Sequence, residues 1–161
     1  MGLEVGFLAT GLVVLAVAAL GFLAGYTLRA RRRLVVITVD GVSMTPTYQP
    51  GDRLIVRRRP GRQARVGEVV VVERPERSTG WDFLPMPGPH LAGRRWLVKR
   101  VAAVAGDPVP EVVRRRLLLP PDARVAAGEI VVLGEHVNSE DSKLWGGFPA
   151  DRVLGVVVRK L

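Results

Sequence analysis

GDRLIV at residues 51–56 is matched by GEVVVV at 67–72 and GEIVVL at 128–133: a glycine, an acid, then a run of apolar residues. Gly106-Asp107 before PVPEVV (108–113) is a fourth instance. Glycine adopts turn conformations closed to other residues, and an acid beside it is common in turns, so each pair reads as a turn feeding a strand. LVVITV (34–39) and VLGVVV (153–158) have the same β-branched composition, and residues 96–101 of RRWLVKRVAAVAGD (94–107) add another candidate strand. The turns recur at uneven spacing, which is a local habit and not a solenoid repeat. Many short strands separated by turns predict a mostly β domain, an antiparallel sandwich or small barrel.

Outward from the strands, the first segment has a different character. Val5 to Leu28 contains no charged residue. At ~1.5 Å per residue this stretch reaches about 36 Å as a helix, enough to cross a bilayer core. Glu4 and the lack of a basic start argue for a retained anchor over a cleaved leader. The chain therefore divides into an anchor with a basic flank (1–33) and a β-rich domain (34–161). Arg29, Arg31, Arg32 and Arg33 come directly after the apolar run, and the positive-inside rule places the β-rich domain in the cytoplasm. Within that domain, residues 75–95 are rich in proline and glycine and carry Trp81, Phe83, Leu84 and Met86. They read as an irregular loop, either a membrane-touching tip or a packed flap.

Composition narrows the chemistry. With 161 residues the chain holds one compact domain and an appendage. It has no cysteine, which excludes disulfides and thiolate metal sites. His90 and His136 have no ligand company, so no metal or other cofactor is expected. The net charge of +9 is almost all arginine. Arg57-Arg58-Arg59 and Arg114-Arg115-Arg116 are more simply solvated loop edges than contacts for anionic lipid or nucleic acid, and no nucleic-acid partner is expected.

GVSMTPTYQPGD (41–52) places Ser43 on a glycine- and proline-rich turn. A nucleophilic serine needs a base, and two histidines offer little choice. Lys99 is the alternative. Alternation along 96–101 puts Leu97, Lys99 and Val101 on one face and Trp96, Val98 and Arg100 on the other. A free lysine, with a pKa near ~10.4, is protonated at neutral pH, but burial disfavours its charged form and lowers that value. A neutral amine beside a serine hydroxyl is a Ser-Lys route to nucleophile activation. Taken alone, a strand lysine is more often an edge residue with its amine in water.

Three boxes together resemble type I signal peptidases. GVSMTPT (41–47) resembles the nucleophile box, VKRVAAVAGD (98–107) the lysine box, and GEHVNSEDSKLWGGFP (134–149) the C-terminal box, through Ser139, Asp141, Ser142 and Lys143. The boxes stand in family order and cover nearly all of the chain after the anchor. The resemblance implies that Ser43 attacks the scissile carbonyl and that Lys99 is the general base. It implies that Ser139 orients Lys99, that Asp141 and Lys143 form a supporting ion pair, and that the Ser43 backbone N–H helps hold the oxyanion. Substrate would bind as an added strand near Val39, Gly41 and Val98. The implied substrates are preproteins with small residues before the cleavage site, the implied surroundings are membrane lipid, and the implied side is extracytoplasmic, against the arginine cluster.

The chain departs from the family at three points. Gly41 stands where some members carry a hydroxyl, leaving backbone donors for the oxyanion. Gly134-Glu135-His136 replaces Gly-Asp-Asn. Lys143 replaces arginine, which removes a bidentate contact to Asp141. Two other readings stand beside signal-peptide removal: a dedicated maturation peptidase for one precursor, possibly facing the cytoplasm, and a non-catalytic anchored β module that binds peptides or acidic lipid. The SOS repressors also use Ser-Lys chemistry, but they carry a DNA-binding domain where this chain has its apolar segment.

Overall fold

The computed structural model describes residues 17–23, 25, 34–75 and 95–161. The chain divides into two compact units, 1–34 and 35–161. In the first, residues 17–23 and 25 are helical. Most of the apolar run 5–28 lies outside the described residues, as do the arginines at 29–33 and nearly all of the 75–95 loop with its four large apolar side chains. No helix among the described residues is long and apolar enough to cross a membrane.

The second unit is built on one sheet. Its strands are β1 (Leu34–Thr38), β2 (Arg53–Arg58), β3 (Val69–Glu73), β4 (Trp96–Val104), β5 (Glu129–Leu133), β6 (Phe148–Pro149) and β7 (Val153–Lys160). They lie in the order β1-β2-β7-β3-β4-β5-β6. The pairings β2/β7, β7/β3, β3/β4, β4/β5 and β5/β6 are all antiparallel. The expected antiparallel β domain is present as one continuous seven-stranded sheet, not as two sheets packed face to face. Both faces of its middle are covered. Val70, Val72, Val101, Ile130, Val132 and Phe148 pack on one side. Val56, Val71 and Leu154 pack with Ile37, Trp96 and Val98 on the other.

The glycine-acid pairs have a common geometry. Gly51, Gly67, Gly106 and Gly128 stand at φ 91, 89, 88 and 81, where a Cβ is strained. The acid after each glycine donates its N–H to the carbonyl three residues back, from 2.9 Å at Asp107 to 3.1 Å at Asp52, Glu68 and Glu129. In three of the four the carboxylate accepts the N–H of that same residue: Gln49 to Asp52, Arg65 to Glu68 and Val104 to Asp107, at 2.8–3.0 Å. The acid thus closes each of these three turns twice.

One of the four runs does not continue as a strand. After Gly106-Asp107, residues Glu111–Arg116 form a short helix, α1. Pro108 and Pro110 lack the N–H groups that a ladder needs, and Pro110 instead fits the helix start. Val113 turns inward and packs with Ala103, Val125 and Val131, which fastens the helix to β4 and β5. The β4/β5 register shifts by a bulge between Val101 and Ala103, and both residues are buried.

Candidate active site

β4 carries the lysine. Its burial pattern makes Lys99, Val101 and Ala103 the inward positions from residue 99 on. Leu97 and Val101 join the cluster on one face, while Trp96 and Val98 join the other, as the alternation predicts. Lys99 is 1% exposed, among the largest of the fully buried side chains. Burial pulls its pKa from the ordinary 10.5 down to about 8, against the opposing pull of Asp141 and Glu140, and Lys143 adds to the lowering. The amine is thus close to half neutral in mildly alkaline water.

The C-terminal box stands beside it. Asp141 is fully buried and caps the short helix α2 (Ser142–Trp145), its Oδ1 accepting the Lys143 N–H at 2.9 Å. Its Oδ2 accepts the Gly134 N–H at 2.9 Å and the Lys143 Nζ at 2.5 Å. Burial alone would raise the Asp141 pKa, but the Lys143 amine and these N–H groups overcome that and hold it below the usual carboxylate value. Lys143 therefore grips both oxygens, one through its backbone and one through its side chain, so a two-point contact exists without a guanidinium. Ser142 Oγ is buried and accepts the Val132 N–H at 2.9 Å, which ties α2 to β5. Sequence reasoning gave Ser142 no role; its position inside the box was the available signal.

Ser43 is half-buried on the turn after β1. Its carbonyl accepts two N–H groups from the C-terminal box, Glu135 at 2.8 Å and His136 at 3.1 Å. A Cβ on Gly134 would lie 1.9 Å from Ser139 Oγ and 2.7 Å from the Ser43 carbonyl, so glycine is required for the serine turn and the Ser139 segment to approach this closely. Ser139 is 9% exposed, and its Oγ is buried without a hydrogen-bond partner of sound geometry, although it lies near enough to help hold Asp141 ionised.

Glu135 links the segments. Its Oε1 accepts from Arg100 Nη2 at 2.5 Å and Nε at 3.1 Å, while Arg100 Nη1 reaches the Gly67 carbonyl at 2.8 Å. Burial would raise the Glu135 pKa; Thr47 and Arg100 outweigh it and lower it. The residue next to the lysine is thereby fastened to the serine turn through one carboxylate. His136 is an ordinary loop residue whose Nδ1 accepts the Asn138 N–H. His90 lies outside the described residues, and no cluster of metal-ligating side chains occurs among those described.

A groove of about 340 Å³ runs past Ser43, lined by Ile37, Thr38, Val39, Asp40, Gly41, Trp96, Leu97 and Val98. Val39, Gly41 and Val98, the expected substrate-binding backbone, all border it. β5 pairs with β4 only from Arg100 onward, which leaves residues 96–99 without a strand partner on that side among the described strands. An extended peptide fits such an open edge. A larger cavity of about 620 Å³, bordered by Arg58, Arg59, Arg62 and Pro149, has neither Ser43 nor Lys99 in its wall.

A family model described as signal peptidase, peptidase S26, matches residues 9–118, more than half of the chain. The match includes Ser43 and Lys99 and ends before the 134–149 box. No curated protein matches the chain.

Proposed function

The chain belongs to the peptidase S26 signal peptidase family, and from that premise we propose that it is a membrane-bound serine endopeptidase that removes signal peptides from exported preproteins by Ser43/Lys99 catalysis. The observation that carries this reading is the buried Lys99 amine with its pKa near 8, on the strand that borders the Ser43 groove. A neutral amine takes the Ser43 proton, the oxygen attacks the scissile carbonyl, and the protonated lysine then gives that proton to the leaving amine. Water repeats the cycle on the acyl-enzyme. The buried Ser139 hydroxyl, which has no hydrogen bond of sound geometry, serves the amine as its orienting partner. The open edge at 96–99 receives the substrate as a strand, with small residues before the scissile bond. The apolar run 5–28 anchors the enzyme, and the catalytic unit faces the extracytoplasmic side.

The test is cleavage of an Ala-x-Ala preprotein by the full chain in detergent micelles. Ser43→Ala, Lys99→Arg and their double variant are expected to be equally inactive, because the pair acts as one unit and a guanidinium does not deprotonate. A Lys99→Arg enzyme that cleaves at near the original rate would remove lysine as the base.

A further inference from the structure

Among the described residues, the groove beside Ser43 has one charged residue in its wall. Ile37, Val39, Trp96, Leu97 and Val98 are apolar, Thr38, Gly41 and Ser43 are neutral, and Asp40 alone carries charge. Its side chain is exposed, while Val39 before it is buried at 6% exposure and fixes the backbone.

The Asp40 carboxylate is one of four, with those of Asp107, Asp122 and Glu129, that hold no cation among the described residues. The chain has 24 lysines and arginines against 15 acids, and many acids of the described chain hold a cation. Asp52 pairs with Lys160, Glu68 with Arg59, Glu73 with Arg152 and Glu140 with Arg74. No described cation pairs with Asp40. With no cation among the described residues holding it, this acid beside the nucleophile is placed to meet a cation from outside. Three residues of extended chain span about 10 Å, so Asp40 lies within that reach of the Ser43 backbone. A substrate strand in the groove would present its side chains near the scissile bond over the same distance.

We propose that Asp40 is a specificity-determining residue that selects peptide substrates carrying a basic side chain within about three residues of the scissile bond. The inference deepens the proposed function and rests on Ser43 being the nucleophile. Its role is distinct from tuning the base: the charges that act on the Lys99 amine are Asp141, Glu140 and Lys143, and Asp40 is not among them.

The experiment uses the full chain in detergent micelles and fluorogenic peptides with one Ala-x-Ala site. The peptides place Lys, Ala or Glu at each position within about three residues of the cleaved bond. At one position the Lys peptide is expected to exceed its Ala counterpart in kcat/KM by about fivefold, the range of a partly solvated ion pair. The Glu peptide falls below both. The preference shrinks in about 0.5 M salt. Asp40→Asn brings the Lys/Ala ratio to near one, Asp40→Lys reverses it in favour of Glu, and Asp40→Glu keeps it. Because each ratio is taken within one variant, a general loss of activity does not mimic the effect. The pH limb set by Lys99 stays where it was. A ratio near one at every position in the original enzyme, or a preference that survives Asp40→Asn, overturns the inference. Cleavage of the Ala peptide that disappears in Ser43→Ala upholds the peptidase reading in either case; if no peptide is cut, both fall.

Discussion

Replacing Lys99 with methionine should make the protein more stable while making it inactive. A lysine pKa of about 8 in the fold against the ordinary 10.5 means that the folded state disfavours the ammonium. The gap corresponds to about 3 kcal/mol at pH values where the amine is charged in both states. Methionine fills nearly the same volume without a charge, so Lys99→Met relieves that cost at neutral pH. Proton linkage sets the sign: between pH 8 and 10.5 the unfolded chain binds more protons, so the original protein gains stability as pH rises. The advantage of the variant is therefore largest below pH 8 and shrinks toward pH 10.5. Urea unfolding of the full chain in mild detergent, monitored by tryptophan fluorescence at about pH 7 and about pH 10, measures it. A gain of about 2–3 kcal/mol at about pH 7, on the order of 5–10 °C in Tm, is expected to decline at about pH 10. A variant that is less stable than the original at neutral pH, or one whose gain does not change with pH, would refute a buried amine held against its charge.

Neighbouring groups give three further expected outcomes. In Asp141→Asn the carboxylate that favours the Lys99 ammonium is gone, so the limb of the pH–rate profile should move to lower pH, and the broken contacts to Gly134 and Lys143 should cost about 3 kcal/mol of stability in denaturant. In the original protein the lowered Asp141 pKa contributes stability above the ordinary 3.8, and this is lost as pH falls through the folded value. Gly134→Ala should reduce kcat by more than about a hundredfold, because its methyl cannot share space with Ser139 Oγ and forces apart the serine turn and the Ser139 segment; an alanine enzyme of normal kcat contradicts the close approach. Protease treatment of intact spheroplasts should digest residues 34–161 if the catalytic unit is extracytoplasmic, whereas protection until lysis supports the cytoplasmic side indicated by the arginines at 29–33.

The parts of this fold that were legible in the sequence are those fixed within a few residues. The glycine-acid turns repeat because each closes on a residue three positions back, and the alternation along β4 comes from the pleat. PVPEVV departed from the strand pattern for an equally local reason, since its two prolines were visible and their missing N–H groups suit a helix start. The single sheet was less legible, because strand order is set by partners far apart: β7 at the chain's end inserts between β2 and β3. Local pattern carries no record of that insertion.

The site divides in the same way. Ser43, Lys99, Ser139, Asp141 and Lys143 could be named from residue types in family order, yet their mutual placement depends on residues that looked incidental or irregular. Glu135 stands where the family pattern has aspartate, and its extra methylene is consistent with a strut that must meet both Thr47 and Arg100. The same segment gives the N–H groups of Glu135 and His136 to the Ser43 carbonyl and the space above Gly134 to Ser139. The Ser43 hydroxyl, the Lys99 amine and the Ser139 hydroxyl come from three separated stretches of chain, and under the proposed mechanism a displacement of about 1 Å among them is enough to cost much of the rate. The 134–136 turn is the element that touches the serine turn, the Ser139 segment and, through Arg100, the strand of the lysine. Under the proposed mechanism its substitutions therefore bear on catalysis more directly than their distance in sequence from Ser43 implies.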